Sequence, residues 1–287
     1  MNRYCGKNWT NDDLNQIREL INNNPGANRA DLSRMVCEVF DWKKQNGGLK
    51  DMSCRVAMLK MHRDGVIELP LPTGPAPKPY QLTYTDTCNP EPEWHSTVND
   101  LKQLIIEPVS RGPSLRLWNE FIGRYHYLGY KMLPGAQFRY FIKDGDRFLG
   151  AMGFGAAAWK VAPRDHFIGW NSNEREERLH LIVNQSRFLI LPWIHCKNLA
   201  SKSLAMVARR LPDDWYNHYG YRPVLMETFV ENNKFHGTCY KADNWHNVGN
   251  TQGRGKLDQF NKKSVPVKSI WLKPLSPDFC QQLLRGE

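Results

Sequence analysis

Apolar and polar positions alternate with two different periods along the chain, and the change of period divides it. Up to Gly65 the apolar side chains recur every three or four residues: Leu14, Ile17, Leu20 and Ile21, then Leu32, Met35, Val36, Val39 and Phe40, then Val56 and Leu59. That spacing predicts three helices. Thr10, Asn28 and Asp51 stand where N-caps belong, and Pro25-Gly26 and Gly65 stand where helices end. Residues 66–69 read as a short strand. Helix, helix, helix, strand is the order of a winged helix, whose third helix would carry Arg55, Lys60 and Arg63 toward phosphates. A small protein-docking module with an ordinary solvated basic face is the alternative.

Beyond Gly65 the period shortens. The stretch 71–79 holds four prolines, and turn-rich sequence continues to Trp94. Extended connector is expected there, with the domain boundary between about residues 70 and 95. Helical spacing returns at 113–123, through Leu115, Leu117, Trp118, Phe121 and Ile122. Residues 138–142 and 147–154 flank an Asp-Gly-Asp turn and read as a β-hairpin. Next come an apolar strand at 187–192, a helix at 197–211 marked by Leu204, Val207, Ala208 and Leu211, and a second strand at 222–230. A strand-helix-strand unit of this kind places helix N-terminal amides at a ligand site. The Gly153-Phe-Gly155 run is a poor dinucleotide fingerprint, since it lies late in a hairpin strand and Pro163 follows.

Charge narrows the partners. Lys and Arg number 39 against 29 Asp and Glu, a net charge of +10, which makes nucleic acid a reasonable partner. Seven cysteines without a C-x-x-C pair argue against a disulfide frame and a zinc cluster, and free thiols fit a cytoplasmic protein. No apolar run approaches the roughly 20 residues of a membrane span. No secretory signal is expected either.

Four side chains in the second region carry candidate chemistry. His126 lies between tyrosines just before Gly129-Tyr130, where an imidazole open to a cleft could transfer protons; a packed, hydrogen-bonded ring is the alternative. Asp165 follows Arg164, either as a substrate or metal contact or as a structural corner. Glu227 sits in an otherwise apolar strand, so it is either paired with Arg or Lys, or poised as base or metal ligand. Tyr240 could donate a proton or fill core. Arg254 and Lys256 lie in a glycine-rich basic turn suited to phosphates.

Two resemblances add to this reading. The order hairpin, strand, helix, strand, short helix, strand over 138–249 resembles the core of the GNAT acyltransferase fold. That likeness implies an acyl-CoA-like donor held at the entry of the central helix, here through Lys197, Asn198 and Ser201, although the 195–201 loop lacks the usual glycines. The second covers most of the chain after about residue 100. Arg124-Tyr-His-Tyr-Leu-Gly129, Arg164-Asp165 with Ile168-Gly-Trp170, Ser186-Arg-Phe-Leu-Ile-Leu-Pro192, Asn198-Leu-Ala-Ser201, Glu227-Thr-Phe-Val230, Asn244-Trp245 and Thr251-Gln-Gly-Arg-Gly255 resemble the motifs of the DruA family, associated with the Druantia anti-phage system and mobile elements. A more distant likeness to Mom-type DNA-modifying enzymes implies transfer onto a nucleobase.

The expected class is therefore α+β: a winged-helix-like domain over 1–70, a Pro-rich linker over 71–95 and a GNAT-like mixed sheet with flanking helices over 96–287. The expected function is group transfer on DNA, with His126, Asp165, Glu227 and Tyr240 in one cleft. Arg55, Lys60, Arg63, Arg164, Arg254 and Lys256 would hold nucleic acid, and other defence-system proteins are expected partners. No metal is expected on this reading. A nuclease or transposase using Mg²⁺ or Mn²⁺ on Asp165 and Glu227, and a non-catalytic DNA-binding subunit, are the alternatives.

Overall fold

A computed structural model describes residues 2–75, 81–254 and 265–284. The chain divides into two units, Met1–Tyr80 and Gln81–Glu287. In the first, an antiparallel hairpin of β1 (Asn2–Tyr4) and β2 (Lys7–Trp9) precedes three helices, α1 (Asn11–Asn23), α2 (Arg29–Val39) and α3 (Asp51–Arg63). Thr10 accepts from the Asp13 amide and Asp13 accepts from the Thr10 amide, a reciprocal cap that fixes the start of α1. Asn28 caps α2 through the amides of Ala30 and Asp31. Asp51 is the first residue of α3 and not its cap; Lys50 holds that position without a side-chain bond. Trp9, Ile17, Leu32, Val36 and Met61 form the centre of this core.

The expected strand at 66–69 is not formed, and its backbone explains why. The Val66 carbonyl accepts from Arg18 Nε and Nη2 at 3.1 and 2.8 Å, and the Leu69 amide donates to His62 Nδ1 at 3.3 Å. Side chains satisfy these groups, so no partner strand is needed. The two-stranded sheet of this unit comes before the helices, and among the described residues no strand follows α3 within it.

In the second unit the strands and helices follow as β3 (Trp94–Thr97), β4 (Leu104–Pro108), α4 (Pro113–Tyr125), β5 (Gln137–Asp144), β6 (Arg147–Ala156), α5 (Ala162–Ile168), α6 (Ser172–Arg178), β7 (Ile182–Ile190), β8 (Ile194–Lys197), α7 (Leu199–Tyr219), β9 (Leu225–Glu231), α8 (Thr238–Ala242), β10 (His246–Asn250), β11 (Lys268–Pro274) and α9 (Phe279–Leu284). Residues 81–93, expected as connector, belong to this unit. Thr85 donates through its amide and hydroxyl to buried Glu120, and Tyr125 Oη donates to the Cys88 carbonyl at 2.7 Å.

Seven strands form one mixed sheet in the order β10-β11-β9-β7-β6-β5-β4, and β3 pairs with β8 in a separate parallel ribbon. Within the large sheet every neighbouring pair is antiparallel except β7 with β9. The class is α+β, and the expected order hairpin, strand, helix, strand, short helix, strand is present with α5 and α6 inserted after the hairpin and β8 before α7. On one face Tyr140 donates to Asp214 of α7 at 2.9 Å. On the other α4 lays Trp118 and Phe121 against β5 and β6. Among the described residues no helix is long and apolar enough to cross a membrane.

Close strand packing leaves Gly150 with no room for a methyl group. A Cβ on Gly150 would stand 2.2 Å from the Leu189 carbonyl oxygen, which is backbone and cannot swing aside. Gly150→Ala is expected to destabilise the protein by about 1–3 kcal/mol, read from denaturant midpoints. Gly26→Ala, where a Cβ meets nothing within 4 Å, should stay within about 0.5 kcal/mol.

Candidate functional site

β7 and β9 run parallel but pair only through Ile182, Val183 and Asn184 with Leu225, Met226 and Glu227. Both strands continue past that point, so they part. One side-chain tie marks the fork, Thr228 Oγ1 donating to the Gln185 carbonyl at 3.1 Å. Strand alternation places Gln185 and Thr228 on one face and Asn184 and Glu227 on the other. A bulge in the β6–β7 pairing then shifts the register: Phe154 faces Gln185 and Gly153 faces Arg187, with Ser186 as the extra residue. The bulge turns Arg187 to the α4 side. Gly153 is needed opposite, because a Cβ there would come within 2.8 Å of the Trp118 ring.

Arg187 is 8% exposed. It donates to the carbonyls of Ser186 at 2.7 Å and Gly129 at 3.3 Å, and among the described residues it has no carboxylate within ion-pair distance. Burial pulls its pKa down, as it does for Arg139. The Arg139 guanidinium lies 5.2 Å over the Trp118 ring. Lys131, Arg139 and Arg187 line one crevice with Trp118, Tyr130 and Gln137, and among the described residues no carboxylate lines it. A buried cation without a counter-ion is costly, and an anionic ligand would remove that cost.

His126 ends α4 beside this crevice. Its Nδ1 accepts the Leu128 amide at 3.2 Å, so the neutral ring carries its proton on Nε2. Burial, then Arg187 and Lys268, lowers its pKa from 6.5 to about 4. At neutral pH the ring is therefore a hydrogen-bond donor and a poor base. The ring stacks on Tyr127 at 4.9 Å, and Lys234 Nζ lies 4.8 Å over Tyr127. Burial raises the Tyr127 pKa, Glu231 adds to the rise, and Arg187 opposes it.

Tyr240 approaches from the α7 side, packed against Phe188, Trp245 and Trp271. Burial is the largest of the effects holding its hydroxyl protonated, and nearby Tyr127 adds to it. Tyr127 thus acts electrostatically on both Arg187 and Tyr240. The fork collects donors: a guanidinium, an Nε2–H and a phenol.

The other two expected catalytic residues lie at the closed end and are engaged. Arg164 Nη1 donates to Glu227 Oε2 at 2.8 Å and to the Ala158 carbonyl, while its Nε and Nη2 hold Asp165 Oδ1 at 2.9 and 2.7 Å. The Ala158 amide donates to Glu227 Oε1, and Val161 N–H and Trp170 Nε1–H donate to Asp165. Burial raises the Glu227 pKa, and Arg164 opposes it. The structure brings Arg164, Asp165 and Glu227 together as one interior network. Arg164, expected among the phosphate contacts, is fully buried and cannot reach a nucleic acid. The carboxylate pair of the Mg²⁺ or Mn²⁺ reading is already occupied by protein donors.

Lys197, Asn198 and Ser201 stand at the start of α7, where Asn198 adopts a left-handed φ of 65° and gives no side-chain cap. The Ser201 hydroxyl instead donates to the Asn198 carbonyl at 3.2 Å. On α3, Lys60 and Arg63 are exposed and Arg55 is half-buried. Arg254 is exposed, and Lys256 lies outside the described residues. Sequence reasoning missed Arg187, although it is a charged residue in an apolar strand, the same signal that singled out Glu227.

The family model described as Druantia protein DruA matches residues 78–283. Among solved structures the chain is similar to that of FeeM, an N-acyl amino acid synthase from uncultured soil microbes. The identity is 10%, the TM-score 0.36, and the match covers 64% of this chain and 95% of that one. No curated protein matches.

Two outcomes follow from the site's electrostatics. The unfolded chain protonates His126 near its ordinary 6.5 and the folded chain only near 4. Stability present above the first value is therefore lost as pH falls toward the second. His126→Asn is expected to flatten that part of the urea-midpoint profile. Glu227→Gln, which removes one carboxylate from buried Arg164, is expected to cost about 3 kcal/mol in the same measurement at neutral pH.

Proposed function

The chain belongs to the DruA family, and on that footing we propose that it acts on nucleic acid in phage defence, with the fork between β7 and β9 as the reacting locus. The observation that carries this reading is the enclosed Arg187 guanidinium without a carboxylate, beside a neutral His126. Arg187, with Arg139 and Lys131 of the same crevice, holds a phosphate or another oxyanion of the substrate. His126 Nε2–H and the Tyr240 hydroxyl donate to oxygen, so the site stabilises negative charge that develops during group transfer. The uncapped entry of α7, with Lys197, Asn198 and Ser201, receives the anionic part of a donor. Lys60 and Arg63 of α3, with Arg55 behind them, and Arg254 contact phosphates independently of sequence. Other proteins of the defence system are the expected protein partners.

Arg187→Gln tests the reading because its two consequences diverge. Removing a buried, uncompensated charge should leave the denaturant midpoint unchanged or higher. Losing the charged hydrogen bonds should weaken binding of labelled single- or double-stranded DNA by about tenfold to a hundredfold. Mass spectrometry of nucleosides from cells expressing the wild-type chain should show a mass shift that the variant lacks. DNA binding unaffected by Arg187→Gln, with no nucleoside shift, would leave a non-catalytic DNA-binding role in its place.

A further inference from the structure

Away from the fork, the β3–β8 ribbon aligns three metal-binding side chains from distant parts of the chain. In that parallel pair His95 is the register partner of His195. Their imidazoles stack with centroids 4.6 Å apart and 13° between planes. Glu93 lies two residues before His95, on the same side by the alternation of an extended chain. The intervening Trp94 and the neighbouring Ile194 pack into the core, so the three polar side chains project outward together. His95 Nε2 and Glu93 Oε2 are 3.4 Å apart, and the donor atoms of all three residues lie within 4.8 Å of one another.

We propose that Glu93, His95 and His195 bind a divalent transition metal, with Zn²⁺ as the ion the donor set fits best. Two imidazoles and a carboxylate are borderline donors of the kind Zn²⁺ takes. Bonds of about 2.1 Å in a tetrahedron separate donors by roughly 3.4 Å, the distance already present between Glu93 and His95. The exposed rings are free to tilt toward one ion, and the fourth position falls to water. Bound metal ties β3 to β8 two residues before Lys197 and three before Asn198, and so fixes the strand that leads into α7. The site is independent of the Arg164 network and of the fork.

The test uses untagged, full-length protein stripped with chelator. Calorimetric titration with Zn²⁺ should give one ion per chain and a thermal midpoint that rises with the ion. Co²⁺ should give visible absorption without a thiolate charge-transfer band. The double variant His95→Ala/His195→Ala, altered only at exposed positions, should weaken binding by more than about tenfold and lose the thermal shift. His236→Ala, at an exposed histidine outside the trio, should change neither. Absence of binding at micromolar Zn²⁺, equal binding by the double variant, or a thiolate band assigning the ion to the free cysteines would each overturn the proposal.

Discussion

The sheet of the second unit depends on the ion pair between Arg164 and Glu227, both fully enclosed. Two charges taken out of water are costly, and the cost is met only when every polar atom around them finds a partner. Here the Ala158 amide and carbonyl, Asp165, Val161 and Trp170 supply those partners. The network therefore fastens the end of β6, the helix α5 and the strand β9 to one another. It also sits under the last rung shared by β7 and β9, since Glu227 pairs with Asn184. Beyond that rung the Thr228 hydroxyl on the Gln185 carbonyl ties the strands, and among the described residues no ion pair joins them there. The closed end is an anchored charge cluster, and the open end follows from where the anchor stops.

The two ends have opposite electrostatic character, and this bears on chemistry. At the closed end each carboxylate faces a guanidinium and amides. At the fork the crevice lining carries Lys131, Arg139 and Arg187 and, among the described residues, no acid. Glu231 is nearby, but it pairs with Lys234 at 3.1 Å. His126 cannot restore the balance by losing charge, because it is already neutral. A site built this way attracts oxyanions and polarises oxygen, and its own groups take up protons poorly near neutral pH. Under the proposed function, the base of the transfer is therefore a group of the substrate or solvent, and the fork stabilises charge.

Much of the fold could be read from residue pattern, and the failures have identifiable causes. The first unit's helices were legible because their caps and apolar stripes are local: Thr10 with Asp13, and Asn28 with the amides that follow it. The β5–β6 hairpin was legible for the same reason. The strand expected at 66–69 failed because Arg18 and His62, remote or on another element, satisfy its backbone. β11 was missed although Ile270, Trp271 and Leu272 form an apolar centre, because it completes the sheet only by pairing with β9 and β10. Glu227 was singled out correctly as an oddity in an apolar strand, but composition alone could not choose between a partnered and a poised carboxylate.

Arg187 shows why the fork itself was harder to read than the elements that form it. Alternation along an unbroken β7 would put Gln185 and Arg187 on the same face. The bulge at Ser186 reverses this, and it is fixed by pairing with β6, forty residues upstream at most in the hairpin and invisible in the strand's own composition. The reversal also needs space on the receiving face. Gly153 supplies it by leaving the Trp118 ring undisturbed, so a glycine that looked like part of a nucleotide fingerprint is a spacer for an arginine. One added residue in β7 and one absent Cβ in β6 together decide that a cation enters the crevice below α4 and not the core against α7. Site geometry of this kind resides in the pairing of strands, and it becomes readable only when register is known.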